Sequence, residues 1–200
     1  MKTDTAKSLH VPQIVVPKRY IDPRGWFSEA YHEGRLRGIG IACHFVQDNQ
    51  SKSKRTGTLR GLHFQLPPAA QDKLVSVLHG RIFDVAVDVR RGSPSYGNHV
   101  ATELSAKSGQ QLYIPTGFAH GFLTLEDETL VAYKVSNYYA PEQDGGIRWD
   151  DPEIAIPWPC KHTDMILSEK DRRLPLLKDF SSPFDYDGHP LEPLKVTELA

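Results

Sequence analysis

Three short stretches crowd polar and ionisable side chains beside strand-like runs. They are GTLRGLHFQ from Gly57 to Gln65, QLYIPTGFAHGF from Gln111 to Phe122, and LVAYKVSNYY from Leu130 to Tyr139. His63 and His120 carry imidazoles, the side chain type suited to exchanging protons near neutral pH. Tyr133 carries a phenol, which titrates at about 10 and arrives protonated. An imidazole and a phenol are the side chains of general base and general acid chemistry. Each residue also has a plainer reading. A lone His63 is more often a structural histidine, and His120 between Ala119 and Gly121 could satisfy a turn. Tyr133 shares a strand face with Val131 and Val135, the pattern of a core tyrosine with a satisfied hydroxyl. Lys73, after Gln71 and Asp72, could head a strand as a surface lysine.

These side chains need a scaffold of short strands. Gly (15) and Pro (15) are spread along all 200 residues and punctuate the chain too often for long helices. From Phe83 to Val89 apolar residues alternate with Asp84, Ala86 and Asp88, which predicts a half-buried strand after a turn at His79–Gly80. Asp84 and Asp88 then read as exposed strand positions, with Asp84 a second candidate to orient an imidazole. Further strands are predicted at Leu74–Leu78, His99–Leu104, Gln111–Ile114 and Thr129–Tyr138. A spacing of about ten residues from strand to strand is that of an all-β sandwich or barrel. Ser28–Leu36 could form a short helix, and Ser168 caps another that Pro175 stops. Lys52, Lys54 and Arg55 read as a solvated basic loop. The tail beyond Pro183 is proline-rich and polar, an arm or a frayed end.

Lys plus Arg (24) nearly cancels Asp plus Glu (25), so no strong field favours nucleic acid or a membrane. MKTDTAKSLH lacks the apolar core of a secretory signal, and no apolar run approaches membrane-spanning length. The cytoplasm is the expected compartment. Cys43 and Cys160 are too few for a disulfide framework or a zinc site. With no repeat and no linker, residues 1–200 are expected to form one domain, with a core over about 12–180 and a tail over about 183–200.

The run from Gly109 through Pro115 and Gly117 to His120 resembles the second motif of the cupin double-stranded β-helix, with Thr124 where Asn is frequent. The run from Gly57 through His63 and Gln65 to Lys73 and Gly80 resembles the first motif with its chemistry altered. In metal-binding cupins these positions supply His, His, Glu and His; here they read His63, Gln65, Lys73 and His120. A Gln is a poor ligand, and an ammonium repels a divalent ion unless it first loses its proton. The resemblance therefore implies a cupin jelly roll whose pocket binds no metal and uses no cofactor. An imidazole, a cation and a phenol remain to move protons and stabilise charge.

Longer strings sharpen the likeness. DPRGWFSEAY, FVQDNQSKS, LRGLHFQ, QDKLVSVLHGRIFDVAVDVR, SPSYG, IPTGFAHGF, YKVSNYYAP, GGIRWDDPEIAI and LSEKD occur in that order. Together they resemble the RmlC family, the dTDP-4-dehydrorhamnose 3,5-epimerases, over most of the chain. The resemblance implies a homodimer with sheets extended between subunits, acting on a dTDP-ketosugar. It implies catalytic roles for His63 as base, Asp171 as its carboxylate partner, Lys73 beside the ketone oxygen and Tyr133 as acid on the opposite face. Epimerisation needs two such groups, since one alone returns the proton where it came from. The resemblance also implies substrate contacts from Arg24, Phe27, Glu29, Gln47, Asn49, Arg60, His120, Asp144 and Lys170. Tyr139 corresponds to the residue that stacks on the base. Arg24, Arg60 and Lys170 suit a diphosphate. Asp144 stands where the family more often has Glu, and Gln50 where it often has His. A C3-only epimerase, a metal-dependent cupin and a non-catalytic sugar-nucleotide binder are the competing readings.

Overall fold

Strand-length runs bounded by glycine and proline fold into two facing sheets in the computed structural model, which describes residues 9–199. The N-terminal stretch lacking a secretory core lies, up to residue 8, outside that range. In chain order come β1 (Gln13–Pro17), β2 (Arg19–Asp22), β3 (Gly25–Ser28), α1 (Glu33–Gly38), β4 (Gln47–Ser53), β5 (Leu59–Gln65), β6 (Lys73–His79) and β7 (Arg81–Asp88). They are followed by β8 (His99–Ser105), β9 (Gln111–Ile114), β10 (Phe118–Thr124), β11 (Thr129–Val135), β12 (Asp144–Gly146), α2 (Glu169–Arg172) and β13 (Val196–Leu199). A six-stranded sheet has the order β13-β1-β9-β6-β11-β4 and a five-stranded sheet the order β12-β5-β10-β7-β8. Strands β2 and β3 form a separate hairpin. The expected all-β architecture is present, and among the described residues no helix is long and apolar enough to cross a membrane.

The five-stranded sheet is covered on both faces, and the six-stranded sheet on its inner face and on the part of its outer face where α1 sits. Between them lie Val75 and Val77 of β6, Ile82 and Ala86 of β7, Phe118 and Phe122 of β10 and Val131 of β11. Val85 and Val87 point the other way, into a second core with Leu62, Phe64, Trp149 and Trp158. There the segment after β12 wraps the five-stranded sheet. A third core of Val15, Leu36, Ile41, Leu74 and Tyr113 seats α1 on the outer face of the six-stranded sheet. Apolar area removed from water at about 25 cal/mol per Å² is what holds such layers together.

This double covering corrects the reading of β7. Its alternation is real, but the face opposite the valines is not solvated: Asp84 and Asp88 have no exposed surface. A buried carboxylate needs compensating partners. Asp88 accepts from the Arg90 guanidinium at 2.9 and 2.8 Å and from the Ser93 and Ser95 hydroxyls at 2.7 Å each. Asp84 meets His120 of the adjacent strand instead.

Other boundaries move for physical reasons. Ser28 ends β3, and the first helix begins only at Glu33, after His32, whose ring accepts from Arg35 N. Strand β11 stops at Val135 rather than Tyr138. Lys52 lies in edge strand β4 and pairs with Glu128, so the basic run is not wholly loop. The C-terminal tail is not frayed. Phe184 is buried, Asp187 pairs with Arg90, and β13 adds to β1 in parallel, Ile14 opposite Val196. Cys43 and Cys160 are free thiols.

Candidate active site

A cavity of about 680 Å³ opens between the sheets. The five-stranded sheet supplies Arg60, His63 and Gln65 from β5 and His120 from β10; the six-stranded sheet supplies Lys73, Tyr133, Gln47 and Asn49. Strand β12, loops and α2 close one end with Tyr139, Asp144, Ser168, Lys170 and Asp171.

Strand β5 solves a spacing problem. Arg60 and His63 are an odd number of residues apart, so a regular strand would send them to opposite faces. The ladder with β10 shifts register here: His63 faces His120, yet Arg60 faces Phe122. Two residues, Gly61 and Leu62, thus oppose Gly121 alone, a β-bulge that turns both side chains into the cavity. The bulge needs glycine. A Cβ on Gly61 would sit 2.5 Å from the Gly121 Cα, and its φ of +129° is a conformation L side chains rarely adopt.

The His63 ring nitrogen Nε2 lies 2.6 Å from Asp171 Oδ1. Asp171 is carried by α2, whose cap forms as expected: the Ser168 hydroxyl oxygen accepts from Asp171 N at 3.1 Å. Burial alone would raise the Asp171 carboxyl pKa, but His63, Ser168 and the Gly61 backbone outweigh it and hold the group below the usual range. A carboxylate in that place fixes the imidazole tautomer and stabilises the imidazolium. With Nε2 engaged, Nδ1 is the ring position left to exchange a proton with a bound molecule.

Lys73 heads β6 on the same inner face as Val75 and Val77, only 8% exposed, and its Nζ donates to the His63 carbonyl at 3.1 Å. Burial lowers its pKa from 10.5 to about 8, while Asp84 and Asp144 pull the other way and Lys170 adds to the lowering. Tyr133, opposite Val75 on β11, faces the cavity from the sheet across from His63. Burial raises its pKa, with Arg60 opposing and Asp144 adding to the rise, so the phenol stays protonated at neutral pH. His120 is buried, its Nε2 2.5 Å from Asp84 Oδ1; burial holds its pKa below the ordinary value against the pull of Asp84. Asp84 thus partners the second imidazole, not His63.

Substrate positions fall into two groups. Gln47 donates to Asn49 at 2.8 Å and accepts from Tyr139 N at 3.0 Å, tying β4 to the loop that carries Tyr139. The Tyr139 hydroxyl donates to Asp144 at 3.1 Å, and Lys170 pairs with the same carboxylate. Arg60 donates to Ser53 Oγ at 3.3 Å and Lys52 O at 3.1 Å. Arg24, Phe27 and Glu29 form the other group and do not line this cavity. Arg24 pairs with Asp22, Glu29 pairs with Arg35, and Phe27 is 65% exposed on the β2–β3 hairpin. Gln50 lines a smaller cavity of about 220 Å³ beside that hairpin.

Sequence reasoning passed over Gln65 as a site residue. Its amide donates to Ala69 O at 2.7 Å and Tyr138 O at 3.1 Å, and its carbonyl accepts from Ala140 N at 2.8 Å. It pins the loop under Tyr139. The available signal was its place two residues after His63 on the same strand face.

The sequence profile of the dTDP-4-dehydrorhamnose 3,5-epimerases matches residues 8–179. The chain belongs to that family. It is 51% identical over 162 residues to an Escherichia coli dTDP-4-dehydrorhamnose 3,5-epimerase, covering 80% of this chain and 86% of that one. The Sinorhizobium fredii enzyme of the same name is 50% identical over 174 residues, 87% and 89% of the two chains. Among solved structures, the Legionella pneumophila family member in complex with dTDP-4-keto-L-rhamnose superposes with a TM-score of 0.84 at 42% identity, over 91% of this chain and 98% of that one. The family's cupin-type jelly roll is the fold described above.

Proposed function

We propose that this chain converts dTDP-4-dehydro-6-deoxy-D-glucose to dTDP-4-dehydro-β-L-rhamnose, inverting the two carbons that flank the ketone. One observation carries the reading: His63 on one sheet, paired with Asp171 of α2, and the Tyr133 phenol on the facing sheet border one cavity, which Lys73 also lines. His63 takes the proton from the carbon beside the ketone. The electron pair moves onto the ketone oxygen, giving an enolate that the Lys73 ammonium faces; a preorganised cation there is worth about 3 kcal/mol. Tyr133 gives its proton to the opposite face of the same carbon, the enolate collapses to the ketone, and His63 and Tyr133 recover their starting protonation from solvent. The second carbon repeats the sequence through an enolate on the same oxygen. His120, kept neutral by burial and oriented by Asp84, contacts the sugar, and Tyr139 stacks on thymine. Arg60 and Lys170 meet the diphosphate.

Arg24, Phe27 and Glu29 belong to this substrate site in a homodimer, where the hairpin of one subunit reaches the cavity of the other. The exposed Tyr20, Ile21, Trp26 and Phe27 of that hairpin support such an interface. The chain works as one cupin-type domain in the cytoplasm, with neither metal nor cofactor in the reaction. Turnover of the dTDP-ketosugar in deuterated water is the test. Deuterium at both carbons flanking the ketone is expected; label at the C3 position alone would reassign the chain as a single-site epimerase. Activity abolished by chelation and restored by a metal ion would reassign it as a metal-dependent cupin.

A further inference from the structure

Among the described residues one group of metal-ligating side chains converges outside the cavity: His10, ahead of β1, with Asp187 and His189 of the C-terminal tail. One ligand atom from each lies within 4.8 Å of the other two. His10 Nδ1 is 2.7 Å from Asp187 Oδ2, and His189 Nδ1 is 3.6 Å from Asp187 Oδ1. The two imidazoles stack with centroids 4.2 Å apart and planes 5° from parallel. None of the three lines the large cavity, and Asp187 and His189 lie beyond the segment shared with the epimerase family.

We propose that this cluster is a binding site for one divalent d-block cation of the zinc type, which clasps the C-terminal tail to the start of β1. The donor set, two neutral imidazoles and a carboxylate, is one that zinc accepts, with water completing four positions. The carboxylate is held from outside, as ligating carboxylates usually are: Asp187 Oδ1 accepts from Arg90 Nη1 at 2.9 Å and from His189 N at 3.2 Å. Arg90 does not cancel the charge offered to the cation, because its own charge is answered by the Asp88 carboxylate, to which it donates two bonds. Arg90, Asp88 and Asp187 together leave one net negative charge beside the imidazoles. Binding through His10 Nδ1 moves the proton of the neutral ring from Nδ1, where it faces Asp187 Oδ2, to Nε2, and requires the stacked rings to fan apart, since a ligating imidazole holds its metal in the ring plane. His189, with its side chain 56% exposed and Gly188 before it at φ +89°, has the freedom to turn.

The test is calorimetric titration of the tag-free, full-length, chelator-treated chain with ZnCl₂, with CoCl₂ absorption as a second readout. One ion per chain is expected, with binding weakened at least tenfold in both His10→Ala and His189→Ala and unchanged in His162→Ala, which alters an exposed histidine elsewhere. Epimerase turnover should be the same in all four proteins with or without zinc, which also reports that the variants are folded. No binding by the parent chain overturns the site. So does binding that survives both cluster substitutions, or binding lost equally in His162→Ala.

Discussion

The chemistry at the scale of single residues turns on how Lys73 stays charged. Burial drives its pKa to about 8, and the Asp84 charge is the largest influence working against that fall. An enolate-stabilising role requires the ammonium, so turnover should decline as pH rises through about 8. Asp84→Asn removes the supporting charge and lets the Lys73 pKa fall further. The alkaline limb of kcat against pH should therefore move to lower pH, with the loss larger at pH 8 than at pH 6.5. An alkaline limb that stays in place would show that Lys73 does not govern it. Within the main pair, His63→Ala and Tyr133→Phe should each lower turnover by about 10²- to 10⁴-fold, the usual range for general acid–base groups. Affinity for dTDP, measured by calorimetry, should change little, because neither side chain is assigned to the nucleotide. Preserved turnover in either variant would favour a binding module over an enzyme.

At the scale of elements, strand β5 determines whether those residues meet at all. Gly61→Ala places a methyl group against the Gly121 Cα and His120 O, at 2.5 and 2.9 Å, on a backbone with φ of +129°. Strain of this kind is worth about 1–3 kcal/mol before any clash is counted. Urea denaturation should show a stability loss of at least about 2 kcal/mol. Turnover of the folded fraction should also fall, because straightening the bulge rotates Arg60 or His63 out of the cavity. A variant as stable and active as the parent would mean that the bulge is not what aims them. Such a bulge leaves only a faint sequence mark, a glycine inside a strand. Elements with regular alternation were legible: β9 runs from Gln111 to Ile114 as read, and Ser168 caps α2 as read. Strand β4 was not, because QDNQSKS is polar on both faces. Its inner residues Gln47, Asn49 and Ser51 border a polar-lined cavity instead of a core. The burial of Asp84 and Asp88 was hidden for the converse reason: period two marks two faces but does not say that both are covered.

The whole molecule raises the question of what Arg24, Phe27 and Glu29 are for. The string DPRGWFSE likened them to substrate contacts, and the fold puts Arg24 and Phe27 on an exposed hairpin, with Glu29 just after it, away from their own cavity. The resemblance implied a homodimer, but sequence likeness does not say which copy of the chain a residue serves. If the hairpin of one subunit completes the cavity of the other, loss of Arg24 and loss of His63 damage complementary halves. Arg24→Ala should be nearly inactive as purified, with KM raised more than kcat is lowered, since a diphosphate contact acts in both ground and transition states. His63→Ala should be inactive as well. Mixing the two after mild dissociation and reassociation should restore activity, up to one competent site in each mixed dimer, because one cavity then receives a native His63 and a native Arg24. Sedimentation of the parent chain should give the mass of a dimer at assay concentration. A monomer that turns over at the full rate, or a mixture that never exceeds its parents, would confine the site to a single chain and leave Arg24 with its Asp22 partner alone.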